Sequence, residues 1–273
     1  MISKGLLSIV SPRPSDAGGL VYAGGTERDG MILAGEARSP ATGETYKIQD
    51  GYLDLLRSRT GADSLANLTN FLPGAGRGYE PLWRVRSLSL LTGESFPNER
   101  ELEIIKRLVR PVRGGRYLDL GCSAGLYTRS LSGNLDSAVG IDISPSMLRE
   151  AARRARATGA KPSFFRASAK HLPFTDASFT GAVCGGSLNE FGDPARVLRE
   201  TRRVLEPGGR LAIMGILRAG TPRGRRLQRF LSTGGIRFFD AEELHSLLDH
   251  AGFEPDPLQV YGPVFFSGAT RRG

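Results

Sequence analysis

From Pro111 to Gly273, short apolar runs alternate with stretches whose apolar residues recur at helical spacing. The runs RYLDL, AVGIDI, SFFRAS, GAVCGGSL and RLAIMGIL read as strands. Between them AGLYTRSLS, SPSMLREAARRARATG and DPARVLRETRRVLEPGG read as helices, the last stopped by Pro207-Gly208-Gly209. Such alternation implies right-handed crossovers and a parallel, doubly wound α/β sheet. After the fifth strand, RAGTPRGRRLQRFLSTGGIRFF reads as a basic excursion. DAEELHSLLDHAGF then predicts a helix capped by Asp240, and EPDPLQVYGPVFFSGA predicts two strands turning at Gly262-Pro263.

The chain before this region divides in two. As far as Leu56 it is rich in glycine, and GLVYAGG, GMILAGEARSP and ETYKIQDGYLDLL predict strands and hairpins. From Arg57 to Val109 the signals are helical. NERELEIIKRLVR sets Leu102, Ile105, Leu108 and Val109 on one face, with Asn98 placed to cap. The expected organisation is a β-rich subdomain over 1–57, a helical linker over 58–110 and an α/β domain over 111–273.

Composition narrows the picture only a little. Forty per cent hydrophobic residues in a chain of 273 suit a globular protein with a real core. No run approaches the roughly 18 apolar residues of a membrane helix. The opening MISKGLLSIVSPRPS holds a six-residue apolar stretch ended by Pro12, too short for a secretory core, so a cytoplasmic protein is expected. Cys122 and Cys184 make no disulfide framework, and with three scattered histidines they make no metal cluster. Both read as small apolar filler, and no metal is expected. The net charge of +9, carried almost wholly by arginine, points to anionic partners and is silent on fold.

The most informative stretch is YLDLGCSAGLYTRSL, Tyr117 to Leu131. A strand, Gly121, Gly125 and a helix in that order let the backbone approach a ligand at a helix start. An acid, Asp142, closes the next strand about twenty residues on, where dinucleotide sites place the acceptor for ribose hydroxyls.

Together, YLDLGCSAG, GIDISPSML, ASAKHLPFTDASFTGAV and LRETRRVLEPGGRLAI resemble the class I S-adenosylmethionine-dependent methyltransferases. The likeness is to the small-molecule branch that includes the ubiquinone and menaquinone methyltransferases, and it runs from Gly114 to the end. It implies a seven-stranded, mostly parallel Rossmann-like sheet and S-adenosylmethionine as cofactor. It further implies that Asp119 orients the methionine end of the cofactor and that Gly121, Ser123 and Gly125 line its amino-acid moiety. By the same resemblance, Asp142 binds both ribose hydroxyls, Ile143 packs on the adenine, Ser168 and Ala169 edge that ring, and Leu188 lies beside the sulfonium. Two positions depart from the family's habit. Many relatives have glycine where Ser123 stands, and a Cβ there would crowd the cofactor or force a positive φ. Relatives often have aspartate at Ser168.

Methyl transfer from a sulfonium needs proximity and alignment above all, and a base only where the acceptor must lose a proton. In the loop GGSLNEFGDP after the fourth strand, Asn189 and Glu190 stand where this fold places substrate-facing residues. The loop is not the N-P-P-Y type of many amino-methylating nucleic-acid enzymes. Tyr79 and Trp83 precede the α/β domain where relatives carry a helix that caps the cofactor pocket, which makes the linker a lid. Arg223 and Arg226, with Arg218, Arg225 and Arg229, crowd a common substrate-lid position, open to an anionic substrate, phosphate or RNA backbone.

MILAGEARSPATGETYKIQDGYLDLL is similar to the second half of the zinc ribbon in rRNA guanine-N1 methyltransferases. Tyr46, Ile48 and Gly51 remain, while every ligand cysteine is gone, so a ribbon-like subdomain without metal is expected. The primary reading is a methyltransferase acting on a small molecule or a lipid or quinone-type precursor. The alternative is an rRNA base methyltransferase, with RNA as partner and binding that weakens steeply with salt. A third reading, a non-catalytic cofactor-binding or partner-binding protein, stems from Ser123 and Ser168.

Overall fold

The structure is a computed structural model that describes residues 1–13, 18–56, 85–133 and 137–273. Five strands are parallel neighbours at its centre: β6 (Arg116–Leu120), β7 (Ser137–Asp142), β8 (Ser163–Arg166), β9 (Phe179–Gly185) and β10 (Leu205–Ile216). With β11 (Phe253–Pro255) and β13 (Val264–Arg271), both in antiparallel pairs, they follow the order β8-β7-β6-β9-β10-β13-β11. This is the mostly parallel, doubly wound sheet that the alternation predicts. Its strands are near-continuous apolar runs because both faces are covered. A short strand, β12 (Gln259–Tyr261), pairs with β13 on the far side of the Gly262-Pro263 turn.

The N-terminal residues continue the same sheet. β1 (Ile2–Ser3), β2 (Val21–Arg28), β3 (Met31–Arg38) and β4 (Thr45–Gln49) lead to β5 (Tyr52–Asp54), which pairs in parallel with β8 through Tyr52–Phe164 and Leu53–Phe165. An ion pair between Arg166 and Asp54, 3.0 Å, and a bond from the Ser3 N–H to Ser163 Oγ, 2.9 Å, clasp the junction. Ile2, Leu6, Leu7 and Val10 share one core with Phe165, Phe174 and Phe179, and those three rings meet edge to face.

Helices cover the faces: α1 (Val85–Thr92), α2 (Asn98–Val109), α3 (Leu126–Leu131), α4 (Pro145–Thr158), α5 (Pro194–Val204), α6 (Pro222–Ser232) and α7 (Ala241–His250) among the described residues. α2 buries Ile104, Ile105, Leu108 and Val109 against Tyr117, Val183 and Phe266. It begins at Asn98 itself, the expected cap. Pro97 holds the cap position, so Asn98 lies inside the helix and caps nothing. Glu101 on its inner face is fully buried and accepts from the Tyr127 hydroxyl, tying α2 to α3. Asp240 does precede α7, but its carboxylate makes no cap bond and pairs with Arg218 at 3.1 Å. The basic excursion after β10 is not a plain loop; it contains α6, started by Thr221 Oγ1 accepting from the Gly224 N–H.

Candidate cofactor and acceptor site

The sheet order reverses at β6: β7 and β8 lie to one side, β9 and β10 to the other. Ligands of doubly wound sheets bind beyond the strand ends at that point. Here β6 runs into Gly121, whose φ of 65° favours glycine. A Cβ at Gly121 would stand 2.7 Å from Ser187 Cβ, on the loop after β9. The cradle therefore requires glycine, and Ser187 Oγ closes it by donating to the Gly121 carbonyl at 3.1 Å. Gly125, φ 77°, starts α3; a Cβ there would stand 3.0 Å from Ala151 of α4.

Asp142 ends β7 and faces this turn. Its Oδ2 accepts from the Ser123 N–H at 2.9 Å and its Oδ1 from the Ser144 N–H at 2.8 Å. Each oxygen keeps a further lone pair, the capacity a vicinal diol needs. Burial pushes the Asp142 carboxyl above its ordinary value, opposed by those backbone donors. Asp119 is nearly buried in β6 and accepts from both the N–H (3.0 Å) and the hydroxyl (2.6 Å) of Thr128. It thereby fixes the first turn of α3 behind the glycines. Ser123 adopts φ 49°, the strained option foreseen for a non-glycine there, and its hydroxyl turns to Met147 Sδ at 3.5 Å.

Ile143 is half-buried beside Asp142, outside the core clusters. Ser168 Oγ accepts from the Lys170 N–H at 3.3 Å, and Ala169 is buried behind it. Leu188 departs from an open lining position: its side chain is buried in the main core.

Asn189 departs further. Its Nδ2 donates to the carbonyls of Ile216 (2.9 Å) and Arg237 (2.6 Å), and its Oδ1 accepts from the Ile216 N–H (2.9 Å). The amide is used up in clamping three segments together and offers a substrate no donor. Glu190, one residue on, is the opposite case. It is half-buried, and its carboxylate has no hydrogen bond or ion pair among the described residues. Burial, then the charge of Asp142, pushes its carboxyl up to about 7.

Tyr79 and Trp83 lie outside the described residues. Arg223 and Arg226 sit on the outer face of α6, exposed. Arg225 and Arg229, with Arg218 and Arg237, line an open cavity of about 780 Å³ beneath it. Both cysteines are buried and burial raises their thiols, which suits the filler role. Sequence reasoning missed Ser187 and Phe191, which approach Gly121 from the β9 loop. Nothing in a loop of GGSLNEFGDP says which side chains turn back.

A glycine cradle and a strand-end acid at the switch point of a doubly wound sheet define an α/β protein for an adenine-nucleoside cofactor. Residues 118–213 match the methyltransferase domain family. The chain is 34% identical over 161 residues to O-methyltransferase rstn1 of Aspergillus nomiae, across 57% of this chain and 72% of that one. It is 37% identical over 120 residues to a demethylmenaquinone methyltransferase of Clavibacter sepedonicus, across 44% and 49%. The YcgJ protein of Bacillus subtilis shares the fold at TM-score 0.57, with 17% identity over 64% of this chain and 99% of that one. The chain belongs to the class I S-adenosylmethionine-dependent methyltransferases. It spans about half the length of most of the curated relatives it matches. The cradle at Gly121, the two acceptor oxygens of Asp142 and the half-buried Ile143 fit the cofactor of that family.

Proposed function

We propose that this chain is a cytoplasmic enzyme that transfers a methyl group from S-adenosylmethionine to a small molecule, of the lipid or quinone-precursor kind. When bound, the cofactor supplies an electrophilic methyl group on a sulfonium. Asp142 holds the ribose hydroxyls, and the Gly121–Gly125 turn receives the amino-acid end. Asp119 keeps that turn in shape through Thr128. Glu190 takes the proton of an acceptor hydroxyl or activated carbon; near pH 7 it is divided between its two forms, which suits a base. Asn189 positions Glu190 by anchoring the loop that carries it.

The observation that carries this reading is the unpaired Glu190 carboxylate, one residue from the Asn189 clamp, on the loop whose Ser187 closes on Gly121. The relatives support a small acceptor over RNA, since they are named for a demethylmenaquinone and a rifamycin. The test is methyl-labelled S-adenosylmethionine added to an extract from cells lacking the protein, with products split between organic phase, small polar molecules and purified RNA. Label in the organic or small-molecule fraction is expected. Label confined to RNA overturns the reading.

A further inference from the structure

Helix α6 is inverted. Its one buried side chain is Gln228, whose Oε1 accepts from the Ala219 N–H at 2.7 Å and whose Nε2 donates to the Leu217 carbonyl at 2.9 Å. At about 100° per residue, Arg225, Gln228, Arg229 and Ser232 share the inner face and line the cavity. The outer arc carries Leu227, Phe230 and Leu231, exposed to 60%, 72% and 36%, flanked by Arg223 and Arg226. Surface helices of globular proteins do the reverse, with the apolar stripe inward. The sequence of α6, PRGRRLQRFLS, contains no acid.

An apolar arc rimmed by arginine calls for a partner that is both apolar and anionic. A second copy does not fit, because a two-fold contact would set these arginines against themselves. Segment 57–84 of this chain does not fit either; it holds four arginines against two acids and is itself positive. RNA would complement the arginines but leave Leu227 and Leu231 in water. A bilayer with anionic headgroups supplies both halves.

We propose that α6 is an interfacial helix that docks this protein on an anionic lipid surface, with Leu227, Phe230 and Leu231 entering the headgroup boundary and Arg223 and Arg226 on lipid phosphates. The chain after α6 reaches Arg237, whose carbonyl is held by Asn189 beside Glu190. Docking therefore brings the acceptor side of the site to the membrane, which suits an acceptor dissolved in lipid. That consequence, and not the docking, rests on the proposed methyl transfer.

The test is co-sedimentation of the full chain with vesicles of phosphatidylglycerol and phosphatidylcholine in equal parts, and of phosphatidylcholine alone. Two double variants accompany it, Leu227→Ser with Phe230→Ser, and Arg223→Gln with Arg226→Gln. All four side chains are exposed, and thermal melting with S-adenosylmethionine titration verifies the fold. Binding to the anionic vesicles and not to the neutral ones is expected, weakened roughly tenfold or more by either pair. No sedimentation with anionic vesicles overturns the proposal. So does unchanged binding by the Leu227 and Phe230 variant, or binding to total RNA in place of vesicles. Vesicle binding without any methyl transfer leaves docking standing and removes only the catalytic reading.

Discussion

The backbone N–H of Ser123 donates to Asp142 Oδ2 at 2.9 Å, which ties the glycine turn after β6 to the acid that ends β7. One bond thus sets the spacing between the two halves of the cofactor site. Ser123 reaches it only with φ at 49°, a conformation that costs a residue with a Cβ roughly 1–2 kcal/mol. Ser123→Gly keeps the N–H and removes the strain, against a backbone-entropy loss of roughly 0.5–1 kcal/mol. We expect its melting temperature to equal or exceed that of the wild type, with cofactor affinity retained. Thermal melting with and without S-adenosylmethionine checks both; a sharp drop in either would mean the Ser123 hydroxyl matters beyond the backbone.

In the proposed mechanism Asn189 acts by position, because its amide is fully used on Ile216 and Arg237. Asn189→Ala leaves the Ile216 N–H and the Ile216 and Arg237 carbonyls without partners. At about 1 kcal/mol for each lost bond, plus the cost of stranded buried groups, we expect roughly 2–4 kcal/mol of destabilisation. In a chain of this size that lowers the melting temperature by roughly 5–10 °C. Cofactor affinity should change far less than kcat, because the loop carrying Glu190 loosens while the glycine turn does not.

Glu190 gives the protein a pH signature. Its folded value, about 7, lies above the ordinary 4.5. Between those values the folded state binds the extra proton, so stability falls as pH rises from about 5 to 7. Glu190→Gln abolishes that slope, and its melting temperature should exceed the wild type's more at pH 8 than at pH 5. Activity runs the other way, rising through about pH 7 as the base ionises. Melting curves and rate profiles across pH 5–9 test the two signs separately.

The sequence resolves those parts of the fold that depend on local pattern. β6 to β10 and the helices between them are legible because buried parallel strands are unbroken apolar runs. Asp142 and Gly121 are legible because a turn and a strand end have fixed chemistry. What escapes depends on distant partners. The N-terminal strands join the main sheet through β5 and β8, where Asp54 meets Arg166 at 112 residues' separation. Asn189 reads as substrate-facing because its partners, Ile216 and Arg237, lie 27 and 48 residues away. β11 is three residues long and carries no periodicity. α6 hides because its apolar residues face outward, so they mark no core.

The most direct measurement is a calorimetric titration of S-adenosylmethionine into the wild type and into Asp142→Ala. Removing a carboxylate that accepts charge-assisted bonds from a ribose diol costs roughly 1.5–3 kcal/mol, or roughly 10–100-fold in affinity. Saturable one-to-one binding by the wild type is expected, with a loss of that size in the variant. Equal binding by both, or none by the wild type at millimolar cofactor, would overturn the assignment of Asp142 and the glycine turn to the cofactor.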